Sequence, residues 1–464
     1  MADNDLALYA HLMRRAGFSA RRVELEELVK KPYEEVVEDL IHPERFDDVE
    51  LDLLERYYGT GQQGENPKWW FRMLNSRRQL EEKMTMFWHG VLATGSAKSG
   101  HSKSSHDQIS LFRSIALTNV RTLLTKLSQD PAMIFWLDNN ENLREEPNEN
   151  YGRELLELFS MGVGNYTEED VKASTFAFTG WTHSVPIPGA GSIYGGYGSD
   201  FVFEAGEHNN GQKSFLGESG RFNGEDIIDV IVRQPAAARF IARHLYTFFV
   251  ADEPPVASWN EFQPRDPEAI DQLSKAYLDT GGDIRSILRV LFNSDFFKEA
   301  RYTRVKSPVE VVAGVLKLAG TYQFPDPDFS KHVGVTGAMG QTLMNPLSVE
   351  GWHTGPEWID GGTLNERVNY AVNELPDASV PGVRDIVDRL ASNDGALSPA
   401  KFVDRCLDLA GPVIVAQDRR EGLLSYAESG GDLKFGSDTE RMDSEERVAR
   451  MLQLIVSTRE YQFN

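Results

Sequence analysis

Residues 78–92 read RQLEEKMTMFWHGVL, with Leu80, Met84, Phe87 and Val91 at helical spacing and Glu81, Glu82 and Lys83 on the turns between. Apolar side chains that recur every three to four residues line one face of a helix, so this stretch predicts an amphipathic helix. The same period runs through 109–127 and 148–161, and again through 235–250, 266–280, 283–292 and 307–319. Ser19 is placed to cap a helix through Val23, Leu25 and Leu28, and Pro32 to open the next through Val36, Val37 and Leu40. Thr167, followed by Glu168, Glu169 and Asp170, reads as an N-cap with an acidic first turn on a helix to about Phe178. Asn223 before Glu225 and Asp226 reads the same way. The fold class that follows is mainly α, a multi-helix globular body.

Two stretches break the period. Residues 180–222 carry many glycines, Pro186, Pro188 and one β-like run, Phe201-Val202-Phe203, which predicts a loop-rich, partly β excursion. Residues 321–362 are also loop-rich and end in VEGWHTGPEWIDGG. From 381 onward the chain reads as three or four smaller helices. The expected division is a main helical domain, 1–375, that includes the 180–222 insert, and a C-terminal helical subdomain, 376–464, packed on it. LLTKLSQDPA (123–132) echoes IIDVIVRQPA (227–236), and NVRTLL (119–124) echoes DIRSIL (283–288). Any helix joined to a Pro-started helix produces such an echo without duplication.

The chain has 71 acidic and 48 basic residues and a formal net charge of −23, which repels phosphate backbones and anionic lipid. Nucleic acid is therefore not an expected partner, and the absence of any run of 18 apolar residues predicts no membrane span. The single cysteine, Cys406, excludes an intrachain disulfide and a Cys-rich metal cluster. The start, MADNDLALYAHLMRRAGF, puts Asp3 and Asp5 where a signal peptide would be basic, so the expected location is cytoplasmic. Nothing resembles a nucleotide loop, a haem motif, a zincin helix or a nucleophile elbow.

Four stretches hold residues that could carry chemistry. In EEPNENYGRELLELFSMGVG (145–164), Tyr151, Leu155, Leu158 and Phe159 form an apolar stripe, and Asn150, Glu154 and Glu157 fall at i, i+4 and i+7. Two carboxylates one turn apart, with an amide and the Arg153 guanidinium, suit a divalent cation or acid–base work. A solvated face with Glu149, Arg153 and Glu157 as pairs has the same spacing. His89 follows Phe87 and Trp88, and a buried imidazole there needs a partner. His101 and His106 lie in GSAKSGHSKSSH (95–106), which reads as a loop and weakens a metal-ligand reading. EAGEHNNGQKSFLG (204–217) sets His208, Asn209, Asn210, Gln212 and Lys213 beside glycines, as ligand-binding loops and simple turns both do. TGWTH (179–183) and EGWHTGPEW (350–358) place Trp beside Gly and His, suited to stacking on a sugar ring or to pinning a loop.

Taken together, HLMRRAGF, EKMTMFWHG, LSQDPAM followed by LDNN, PNENYGRELLELFSMGVGNYTEEDV, FTGW, GQKSFLG, ARFIARHLYTFFV and VKSPVEVV resemble the bacterial family catalogued as domain of unknown function 1800. The resemblance runs from about residue 9 to 373, and the closing STREYQF is similar to that family's end. It implies a largely helical protein, often exported with a leader and often found beside a sulfatase-like partner family. The family usually reads Trp-His-Gly/Asn-His-Phe where this chain has His89, Gly90, Val91 and Leu92, so a two-histidine metal site is not expected. His353 stands where a proline is more usual. The match at Asn148, Glu149, Asn150, Arg153 and Glu154 implies a buried polar network, since each member of such a network must find a partner.

Two expectations follow. The first is an enzyme or ligand-binding protein for a polar substrate, saccharide or phosphorylated, with a divalent cation as its candidate cofactor. Its pocket would lie between the 78–92 and 148–161 helices. Glu154, Glu157 and His89 are the candidate catalytic residues, and Asn148, Asn150, Arg153, His208 and Lys213 the candidate binding residues, under the 180–222 excursion. The second is a non-catalytic helical scaffold working with a protein partner in surface or secretory assembly, through an aromatic patch near Trp352 and Trp358.

Overall fold

A computed structural model describes residues 2–59, 62–95, 102–184, 199–392 and 396–464. The chain is mainly α, and the helices start where caps and prolines place them. Thr167 opens Glu168–Ala177 in a capping box with Asp170, Asn223 opens Gly224–Ile231 with Asp226, and Ser307 opens Pro308–Ala319 with Glu310. Pro131, Pro235, Pro267, Pro308, Pro381 and Pro399 each begin a helix, at the position where a missing N–H has no cost.

Local chemistry overrode the pattern in three places. The expected 109–127 helix is two, Ser102–Ile115 and Val120–Ser128, because Asn119 is extended and its side chain caps Thr122 N. The helix from Ser102 also takes in His106, so that part of the expected loop is helical; His101 lies outside the described residues. Ser19 does not cap the next helix, since it sits at φ 70°; Arg22–Leu28 is capped at Arg21, whose N–H donates to Glu24. The expected 148–161 helix is shorter, Asn150–Glu157.

The excursion at 180–222 is partly β as expected. β1 (Trp181–His183) pairs antiparallel with β2 (Phe201–Phe203), and β3 (Lys213–Phe215) with β4 (Glu218–Gly220). Pro186 and Pro188 lie outside the described residues. The two echoing segments meet in space: Asn119 and Asp283, each capping its own helix, form an antiparallel bridge. Val120 N donates to Gly282 O (3.0 Å) and Ile284 N to Thr118 O (2.9 Å), so two helix starts are tied back to back.

One connected apolar cluster runs from Leu6 to Tyr461 and takes in Val383, Phe402, Cys406 and Leu452, so the 376–464 helices share it with the rest. Burying that much apolar surface is the main stabilising term of the fold. At its centre lies a charged knot, in which Lys83 and Arg304 both meet Glu310. Burial pushes the Glu310 carboxyl up, but Arg304 and Lys83 outweigh it and hold the group well below the usual carboxylate range. The segment that carries this knot divides two cavities: Arg304 and Ser307 face one, and Lys306 the other. Among the described residues no helix is long and apolar enough to cross a membrane.

Candidate ligand-binding cleft

The Asn148–Glu157 block spends its polar groups on the fold. Asn142, buried, donates to Asn139 Oδ1 (3.2 Å) and Thr175 O (2.9 Å) and accepts from Asn148 N (3.0 Å). Asn148 in turn accepts from Asn150 N (3.0 Å), and so opens the helix. Gly152 lies so close to Thr175 that a Cβ would sit 2.8 Å from its hydroxyl, which sets the spacing of two helices. Arg153 pairs with Glu149 (3.1 Å) and with both oxygens of Glu168 (2.9 and 2.7 Å) at the surface. Glu157 accepts from Tyr166 Oη (2.9 Å).

The Glu154 carboxyl makes no hydrogen bond or ion pair among the described residues, although its carbonyl accepts from Leu158 N (2.9 Å) and Phe159 N (3.1 Å). Partial burial and the nearby Glu157 and Glu350 carboxylates raise it to about 6, against the pull of Arg153. The other candidates lie elsewhere. His89 is 2% exposed, and its ring is packed by Trp352 (5.1 Å between centroids), Trp69 (6.0 Å) and Phe112 (6.4 Å). Neither of its nitrogens has a partner among the described residues, and burial pushes it down to about 3, so it is a neutral member of an aromatic core. His208 Nδ1 meets Thr179 O (2.9 Å), and Lys213 donates to Asn209 O (2.6 Å) and Gly211 O (3.1 Å). His208 ties the excursion to the segment just before it, and Lys213 ties it to itself. None of Glu154, Glu157 and His89 lines the cleft beside this block, which the two expected flanking stretches reach through Met86, Phe87, Gly90, Val91 and Leu158. Nor do three or more His, Cys, Asp or Glu side chains come together to hold a metal ion among the described residues.

The cavity lies beside this block. A cleft of about 300 Å³ opens between the Gln79–Val91 and Pro235–Phe249 helices, the 252–259 turn and the 341–358 loop. Two glycines allow the loop to dock. At Gly351 (φ 93°) a Cβ would stand 2.1 Å from Gly90 O, and at Gly355 (φ 58°) it would stand 3.0 Å from the Asp252 carboxyl carbon. Only a residue without a side chain fits either place.

Three indoles line the cleft, and two are fixed by their ring N–H. Trp352 Nε1 donates to Thr342 O (3.2 Å), and Trp259 Nε1 to Pro254 O (2.8 Å). Trp259 also carries the Arg243 guanidinium 4.7 Å from its ring, itself paired with Glu253 (2.8 Å). Trp358 is the third and is buried. The polar edges are Asp252, His244, Ser307, Gln341 and, at the rim, Glu350. Burial raises the proton affinity of Asp252, against Arg304 and the Val305 N–H (2.9 Å). Burial and then Arg243 push His244 down to about 3, so its ring is neutral, and its Nε2 has no partner among the described residues. The Asp252 carboxyl, with its raised proton affinity, is a hydrogen-bonding group left for a ligand, whereas the His244 Nε2 is buried between the Phe240 and Trp259 rings. The Trp-Gly-His stretch 350–358 was legible as a stacking loop; Asp252 and His244 were not, because nothing near them in sequence marks a site.

No curated protein and no solved structure matches the chain. One family does, over residues 11–463, and it is described as a protein of unknown function (DUF1800). That span continues past the 9–373 stretch into the 376–464 helices, in keeping with the core they share. The chain belongs to the DUF1800 family.

Proposed function

We propose that the protein binds a saccharide in the cleft of Trp259, Trp352 and Trp358. The observation that carries this reading is three indoles around one cavity whose polar lining includes Asp252 and Glu350, carboxyls with hydrogen-bonding capacity to spare. A sugar ring has apolar C–H faces that stack on indole and a rim of hydroxyls that both donate and accept, so it satisfies both halves of such a lining. The test is a titration of tryptophan fluorescence in the full chain with a panel of oligosaccharides. A saturable change, shifted about tenfold to higher sugar concentration in Trp352→Ala, supports the reading; a flat response to every sugar overturns it.

Leu347, 65% exposed on the cleft's lining, favours a second reading as a helical accessory protein that takes an apolar side chain of a protein partner into the same cleft. A sulfatase-like protein is the candidate partner that the family resemblance implies. Leu347→Asp would then abolish capture of a sulfatase-like partner in a pulldown, and capture that survives it would overturn this second reading.

A further inference from the structure

The second cavity, about 310 Å³, lies between the Ala2–Ala16 helix, the Pro308–Ala319 helix and the chain beyond 381. Six cations and two carboxylates line it, in a chain whose net charge is −23. Three of the cations are matched: Arg21 by Glu24 (3.1 Å), Arg22 by Asp408 (2.6 Å), and Arg389 by Asp385 and Glu26 (2.9 Å each).

The inner three are not. Arg14, Lys306 and Lys317 are 9%, 3% and 6% exposed, and no carboxylate lies within ion-pair distance of any of them among the described residues. Arg14 donates to Gly411 O (2.7 Å), and its Nε has no acceptor. Lys306 donates to Tyr461 O (2.6 Å) over the Tyr461 ring (4.4 Å). Lys317 donates to Ser19 O and Gln79 Oε1, both at 3.0 Å. Glu460, one of the two lining carboxylates, is turned away to Ala416 N (3.2 Å) and Arg419 (3.4 Å).

Buried charges are retained when something pairs them, and neutral carbonyl oxygens pair them only in part. Burial lowers all three cations, Lys306 to about 7, against the more distant Glu310 carboxylate for Lys306 and Glu24 for Lys317. A doubly charged oxyanion accepts hydrogen bonds on every side and is the complement of guanidinium and ammonium donors in a pocket of this size. We propose that this crevice is a binding site for a phosphate- or sulfate-bearing small molecule, with Arg14, Lys306 and Lys317 as its inner ligands and Arg389 at its rim. The proposal stands independently of the aromatic cleft.

The test uses the full chain freed of phosphate and sulfate by dialysis, then titrated with inorganic phosphate, sulfate and a hexose phosphate. Ionic strength is held constant with chloride, and calorimetry and melting temperature are read together. The expected result is one saturable site per chain and a rise in melting temperature that chloride does not give. Tighter binding of the hexose phosphate than of inorganic phosphate would assign the site to an esterified anion, and the reverse order to the free ion. Arg14→Met should weaken binding at least tenfold. Arg389→Gln, at the rim and therefore compatible with folding, should weaken it about threefold to tenfold. No binding above the chloride background, or binding unchanged in Arg389→Gln and in any folded Arg14→Met, overturns the proposal.

Discussion

The Asn148–Glu157 block and the Val349–Trp358 loop both mix polar and aromatic residues, and the molecule uses them in opposite ways. In the block, Asn148, Arg153 and Glu157 all find partners within the chain, Arg153 at its surface, and Tyr151 is buried against Phe178. In the loop, two glycines bring the backbone onto Gly90 and Asp252 and leave indole faces and a carboxylate lining open space. Density of functional residue types is therefore a poor guide to a site. The informative quantity is how much hydrogen-bonding and stacking capacity remains once the fold has taken its share.

Acid should have the largest effect, and two of the three histidine rings that carry it pack on the cleft's indoles. His89 and His244 are held at about 3 and His332 at about 4, all below their unfolded value near 6.5. The unfolded chain then binds more protons between these values, so stability falls as the pH drops below about 6.5. The slope approaches about 1.4 kcal/mol per pH unit for each histidine. Urea unfolding between pH 7 and 4.5 measures it, and a flat profile would remove the claim that these rings are buried neutral.

Asn142→Ala tests the block as a lock. It strips partners from Asn139, Asn148 N and Thr175 O, so a loss of about 2–4 kcal/mol is expected in urea, with sugar affinity per folded molecule unchanged. Unchanged stability would break the contrast. Gly351→Ala tests the loop from the other side: the collision with Gly90 should displace the loop, reduce sugar binding by about a hundredfold, and cost about 1–3 kcal/mol of stability.

Two smaller effects sharpen the comparison. Trp352→Ala should lower sugar affinity about tenfold, the scale of one lost stacking contact. Glu154→Gln should move stability by no more than about 0.5 kcal/mol, upward above pH 6, because it removes a carboxylate from between Glu157 and Glu350. A loss of several kcal/mol in that variant would return Glu154 to the lock.

Much of the helical framework was legible because its signals are local. A proline at a first turn, a capping box at Thr167 and a stripe at period 3.6 each act within a few residues, and tertiary packing confirmed them. Two boundaries were lost to competing local chemistry: Asn119 broke a continuous apolar pattern, and Ser19 gave way to Arg21 and Glu24. The candidate site was less legible. The 350–358 stretch stood out, yet its partners Asp252 and His244 come from a turn and a helix about a hundred residues earlier.

Sequence by itself determined that this chain is mainly α, where most of its helices begin, and which motifs place it in its family. Those depend on backbone geometry and on residue order. Tertiary structure alone decided that the conspicuous polar helix is bonded into the fold while an aromatic loop is left open. It also decided that Arg14, Lys306 and Lys317, scattered along the chain, share one crevice with no ion pair of their own among the described residues. Spare bonding capacity belongs to an arrangement in space, and residue order does not contain it.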